Sequence, residues 1–184
     1  MKFKNNINDQ FNTYCNQINL HSKNFSNINL KKSIELIKKV KKKKSKIILF
    51  GNGGSSSIAN HVAIDFCKVA NIKAITFNES NLITCFSNDY GYENWMKKSL
   101  EFHLNSNDLV IFISSSGTSK NHVIAANFCK KKRVKFITLT GFSKSNPLKK
   151  LGNVNFWVNS KNYNHIEMAH HIILVFLADY FGVN

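Results

Sequence analysis

No apolar run in the 184-residue sequence approaches the about eighteen residues that a membrane-spanning helix requires. The opening stretch, MKFKNNINDQFN, also lacks the apolar centre of a secretory signal. These two absences lead us to expect a cytoplasmic protein with no membrane partner. Cys15, Cys67, Cys85 and Cys129 are scattered with no CxxC pair. That spacing argues against a disulfide framework or a cysteine zinc site, and predicts reduced, mostly buried thiols in a reducing compartment. Acidic residues are scarce: 10 Asp and Glu against 26 Lys and Arg leave a formal charge of +16. Such an excess suits an anionic partner, whether a nucleic acid or a small metabolite. The densest block, Lys38, Lys39 and Lys41 to Lys44, ends a predicted helix, where cations complement the negative end of the macrodipole. No recognised nucleic-acid-binding motif accompanies it, so nucleic acid is not the expected partner.

With 43% hydrophobic residues, the chain has the size and composition of one domain around one core. Phe3, Ile7, Phe11, Tyr14 and Ile18 recur at helical spacing, as do Leu30, Ile34, Ile37 and Val40. Residues 1–45 are therefore expected to form a helical segment ahead of an α/β core over residues 46–184. That core opens with the apolar run Ile47 to Phe50, the turn Gly51-Asn52-Gly53-Gly54-Ser55, and a helical stripe of Ile58, Val62, Phe66 and Val69. Further strands are predicted over 74–77, 109–113, 135–139 and 155–158, with helices over 95–103 and 122–129. The alternation implies βαβ units and a parallel sheet with helices on both faces. The last helix, over 166–181, is apolar nearly all round from Ile172 to Leu177 and is expected to be buried.

Open α/β sheets gather ligands beyond the C-terminal ends of their strands, where this sequence puts two unusual turns. In the first, glycines permit a sharp turn and close approach to a ligand, and the helix that follows offers free N–H groups to an anion. It is neither a dinucleotide fingerprint, since Ser56 stands where the third glycine would be, nor a Walker loop, since no GK[ST] follows. No nucleotide cofactor is expected. The second turn, Ser114-Ser115-Ser116-Gly117-Thr118-Ser119, groups five hydroxyls around one glycine between a strand and a helix. Hydroxyl and backbone N–H donors in that setting form a neutral cradle for phosphate. His61 and Asp65 lie four apart on one helix, and Glu167, His170 and His171 cluster at the start of another. Two carboxylates and three imidazoles are suited to moving a proton beside a carbonyl, or to holding a metal ion of the zinc type.

The ordered segments ILFGNGGSSSIANHVAIDF, SNDYGYE, VIFISSSGTSKN, ITLTGF and the terminal IExxHH helix resemble those of SIS-domain phosphosugar isomerases. They are most similar to the sedoheptulose 7-phosphate isomerases and to their non-catalytic cousins, the DnaA-binding initiator-associating proteins. The resemblance spans nearly the whole chain. It implies a single SIS domain over residues 1–184 with a flavodoxin-like five-stranded sheet, and a homotetramer in which N-terminal helices join subunits. It also implies a phosphorylated sugar as ligand. Ser55, Ser114, Ser116 and Ser119 match the family's phosphate-holding serines, with Ser115 beside them, while Asn52, Gly53, Asn88 and Asp89 match positions facing the sugar. Gly54 completes the first turn.

His61 matches a family metal ligand, and the resemblance extends one zinc ion per subunit to His61, Asp65, Glu167 and His170. Asp65 stands where the isomerases carry a glutamate base, which draws the carboxylate back by roughly 1 Å. Glu167 replaces a family glutamine. Val175 stands where the second catalytic histidine is usual, so either His170 or His171 supplies the acid, with Asp65 as base. A module that keeps its grip on sugar phosphate without catalysis, as sensor or as adaptor to a protein such as the replication initiator, is the alternative these departures leave open.

Overall fold

The computed structural model describes residues 6–23 and 25–182. Phe3, the start of the first predicted stripe, lies outside them. Two helices, α1 (Ile7–Lys23) and α2 (Asn27–Lys42), precede β1 (Lys46–Gly51) and α3 (Gly54–Lys68). They are followed by β2 (Lys73–Ile75), α4 (Ser80–Tyr90), α5 (Trp95–His103), β3 (Leu109–Ser114) and α6 (Lys120–Lys131). The chain then forms β4 (Lys135–Thr140), β5 (Val154–Trp157) and α7 (Tyr163–Gly182). All pairings are parallel, in the order β2-β1-β3-β4-β5.

Side chains alternate across the sheet and so divide the core in two. Ile47, Leu49 and Ile111 face α2, α3 and α7, where they meet Ile37, Val62, Phe66 and Leu174. Ile48, Phe50, Val110 and Phe112 face the opposite way, onto Trp95, Met96 and Leu100 of α5 and Ala125 and Cys129 of α6. Because both faces are covered, β1 and β3 read as unbroken apolar runs. Each fully buried side chain of this kind contributes about 2 kcal/mol. At the opposite edge from the turns, Asp108 accepts hydrogen bonds from Ser45 Oγ (2.6 Å), Lys46 Nζ (2.6 Å) and the Asn105 N–H (2.8 Å), clamping the start of β1 to the approach to β3.

Three expectations are corrected. The helix α4 was absent from the sequence reading: its Ser, Asn and Thr residues are poor helix formers, and none of its side chains is fully buried. The last helix is not buried all round, since Met168, Ile172 and Phe176 are 40, 49 and 45% exposed and form one stripe at four-residue spacing. The thiols are not mostly buried either; Cys15, Cys67 and Cys85 are exposed and only Cys129 is enclosed. Burial pushes the Cys129 thiol up to about 12.

Candidate active site

The chain leaves β1 toward β2 on one side and β3 toward β4 on the other, so the connections diverge between β1 and β3. Such a switch point opens a crevice at the carboxyl ends of the strands. Gly51 pairs with Ile113 in the ladder, so both predicted turns leave the sheet side by side at that crevice. Gly53 has φ +53°, a left-handed conformation that favours glycine. The second turn is held from below. Ser115 accepts a backbone bond from Gly141 (2.8 Å), and Gly117, with φ +66°, accepts one from Leu148 (3.1 Å). A side chain on Gly117 would collide with buried Asn146, whose amide donates to Gly141 and Ser143 carbonyls.

Ser55, Ser114 and Ser115 are buried at the base of the crevice, whereas Ser116 and Ser119 are half-buried. Ser116 Oγ accepts from the Thr118 hydroxyl (3.0 Å). Asn52 and Asn121 exchange reciprocal amide bonds of 3.2 and 3.1 Å, tying the first turn to the start of α6, and the Tyr92 hydroxyl donates to Asn52 (3.3 Å). Sequence reasoning did not single out Tyr92 or Asn121, although both lie inside the quoted segments SNDYGYE and VIFISSSGTSKN. Asn88 and Asp89 are exposed at the end of α4 and bond one another (3.0 Å) rather than either turn.

The helices α3 and α7 run side by side in the same sense. Gly54 meets Glu167 near their first turns, His61 meets His171 further along, and Val69 meets Gly182 at the far end. His61 Nε2 lies 3.1 Å from Asp65 Oδ2, and its ring stands edge-on to that of His171 with centroids 4.8 Å apart. Burial lowers the His171 pKa; His61 lowers it further, and Asp65 opposes both. His171 Nε2 is buried without a hydrogen-bond partner. Glu167 lies one turn before His171 on α7, against Gly54. Burial raises its pKa, with the nearby Ser115 hydroxyl acting in the other direction.

His170 points elsewhere. It is completely buried, with Nε2 3.2 Å from the Thr140 carbonyl, and burial brings its pKa down to about 4. Thus Asp65, His61 and His171 converge, while His170 does not join them. Among the described residues no three His, Cys, Asp or Glu side chains are grouped as a metal ion would need. The expected quartet of His61, Asp65, Glu167 and His170 therefore does not fit a zinc shell in this geometry.

A parallel 2-1-3-4-5 sheet with two donor-rich turns at its switch point is the architecture the quoted motifs implied, and the SIS-domain family model matches residues 10–141. The chain belongs to the SIS-domain family. It is 31% identical over 158 residues to the phosphoheptose isomerase of Buchnera aphidicola, covering 80% of this chain and 81% of that protein. It is 38% identical over 119 residues to phosphoheptose isomerase 2 of Campylobacter jejuni, covering 60% of this chain and 58% of that protein's length. The structure of phosphoheptose isomerase GmhA from Neisseria gonorrhoeae shares the fold, with a TM-score of 0.85 at 22% identity over 95% of this chain and 97% of that one.

Proposed function

We propose that the chain is an aldose-ketose isomerase of the phosphoheptose type, acting on sedoheptulose 7-phosphate or a closely related sugar. The observation that carries this reading is the placement of Asp65, His61 and His171 further along the same two helices whose first turns border the paired phosphate turns. The phosphoryl group is held by Ser55, Ser116, Ser119 and neighbouring N–H groups, with Ser114 and Ser115 forming the floor. Asn52, positioned by Asn121 and Tyr92, faces the sugar. Asp65 takes the proton from the carbon beside the carbonyl, His171 gives a proton to the carbonyl oxygen, and an enediol results. Return of the carbon-bound proton to the other carbon, with loss of a hydroxyl proton, completes the exchange. His61 orients the Asp65 carboxylate. The names of the relatives support this reading over a non-catalytic adaptor.

Exposed apolar stripes support self-association: Met168, Ile172 and Phe176 on α7, and Ile7 and Phe11 on α1, at 73 and 66% exposure. The assembly is a homotetramer in this reading, to be checked by light scattering. Four unpaired cysteines support a cytoplasmic setting. Among the described residues no helix is long and apolar enough to cross a membrane.

The deciding experiment is isomerisation of sedoheptulose 7-phosphate by the wild type and by Asp65→Ala. Turnover by the wild type that collapses in the variant is expected; equal, near-background turnover in both defeats the assignment.

A further inference from the structure

The mechanism above leaves one charged side chain at the crevice without a task. Glu167 approaches Gly54 so closely that a Cβ built on that glycine would lie 2.5 Å from Oε2 and 2.9 Å from Oε1. Gly54 opens α3, and Gly53 before it supplies no side-chain cap. The carboxylate therefore rests against the positive end of α3, whose Ser55, Ser56 and Ser57 N–H groups are turned to the Asn52 and Gly53 carbonyls. On its other side is buried Ser115. Burial raises the Glu167 pKa, and the Ser115 hydroxyl beside the carboxylate opposes that rise. One carboxylate thus touches both phosphate turns, the first through Gly54 and the second through Ser115. Among the described residues, none of the ion pairs includes Glu167.

We propose that Glu167 is a resident counter-anion of the phosphate site, a carboxylate that occupies the space between the two turns and that an incoming phosphoryl group must displace. The inference rests on the phosphate-binding reading of those turns. Three consequences follow from charge and geometry. A carboxylate is planar and singly charged, so it satisfies fewer donors than a phosphoryl dianion. Like charges at this separation repel, so ligand binding has to drive the carboxylate out of its seat. Ligands with a weaker anionic group than phosphate gain too little from the same donors to do so. Glu167 therefore sets a threshold that selects for the phosphorylated form of a sugar over its uncharged or carboxylate analogues. Glycine at position 54 is the complementary half of the device, because any side chain there would exclude the carboxylate.

The test measures inorganic phosphate binding by calorimetry to wild-type protein, Glu167→Gln, Glu167→Ala and Ser116→Ala. Removing the charge is expected to tighten phosphate binding about tenfold or more in both Glu167 variants, the scale of one uncompensated like charge. Ser116→Ala weakens it. Equal or weaker binding by both Glu167 variants, with Ser116→Ala still impaired, overturns the counter-anion and leaves the phosphate site standing. Phosphate that binds no variant, or binds without regard to Ser116, overturns the phosphate site and the counter-anion together. The use of both Gln, which keeps the shape, and Ala, which empties the seat, separates loss of charge from loss of packing.

Discussion

His61 and His171, contributed by α3 and α7, meet edge to face with their rings at 81°. Neither is adjacent to the other in sequence, and this contact puts His171, not His170, beside His61 and Asp65. His171→Ala is expected to reduce kcat by about a hundredfold or more, the usual share of a general acid, with little change in unfolding midpoint. His170→Ala should behave oppositely. It removes the imidazole contact to the Thr140 carbonyl, which keeps the Val158 N–H, and opens a cavity, so stability falls by about 2 kcal/mol and activity declines only as the folded fraction does. Kinetics and denaturant unfolding on the two variants read the distinction.

Asp65 reaches His61 at 3.1 Å, yet it is one methylene shorter than the glutamate the family resemblance places there. Asp65→Glu is therefore expected to raise kcat, by anything up to about a hundredfold if the backbone has not already compensated. An unchanged or lower kcat, measured at saturating sedoheptulose 7-phosphate, would show that the helix has moved to suit the aspartate.

His122 is fully buried and burial lowers its pKa to about 4, the same value that burial gives His170. An unfolded histidine takes a proton near pH 6.5, so below that pH the unfolded chain binds more protons than the folded one. Stability is then expected to be full above about pH 6.5 and to fall continuously toward pH 4, each histidine removing on the order of 3 kcal/mol over that window. Urea unfolding at several pH values measures the slope, and His122→Phe should make it shallower.

Gly117→Ala tests the seating of the serine turn. The new methyl would meet Asn146 in a left-handed backbone conformation, so a loss of about 2 kcal/mol or more is expected in thermal or chemical unfolding. Weakened sugar-phosphate binding should accompany it, because Asn146 also holds the Gly141 and Ser143 carbonyls.

Much of this architecture was visible in the residue pattern. The apolar runs of β1 and β3 announce strands covered on both faces, and α5 spans the predicted 95–103. The serine and glycine turns fall at the sheet edge that strand polarity requires. What was hidden depends on contacts between elements. His170 and His171 are neighbours on a helix and point about 100° apart, and spacing alone does not say which direction is the core. Nor could the Glu167 to Gly54 contact be read from the chain, because it depends on how far α7 slides along α3. The α4 segment escapes a reading of the sequence because its Ser, Asn and Thr residues favour turns and none of its side chains is fully buried. Exposure of Met168, Ile172 and Phe176 was misjudged for a different reason: an apolar helix reads the same whether its outer face meets its own core or another molecule.

The single rod formed by α3 also gauges length. Ser55 and His61 are six residues apart on it, which sets them about 9 Å apart along the axis. With its anionic tail anchored at one mark of this caliper, a sugar presents its carbonyl at the other only when its carbon backbone bridges the interval. Heptose phosphates are accordingly expected to outcompete pentose phosphates for turnover, and the ratio of kcat/KM for the two reads the gauge.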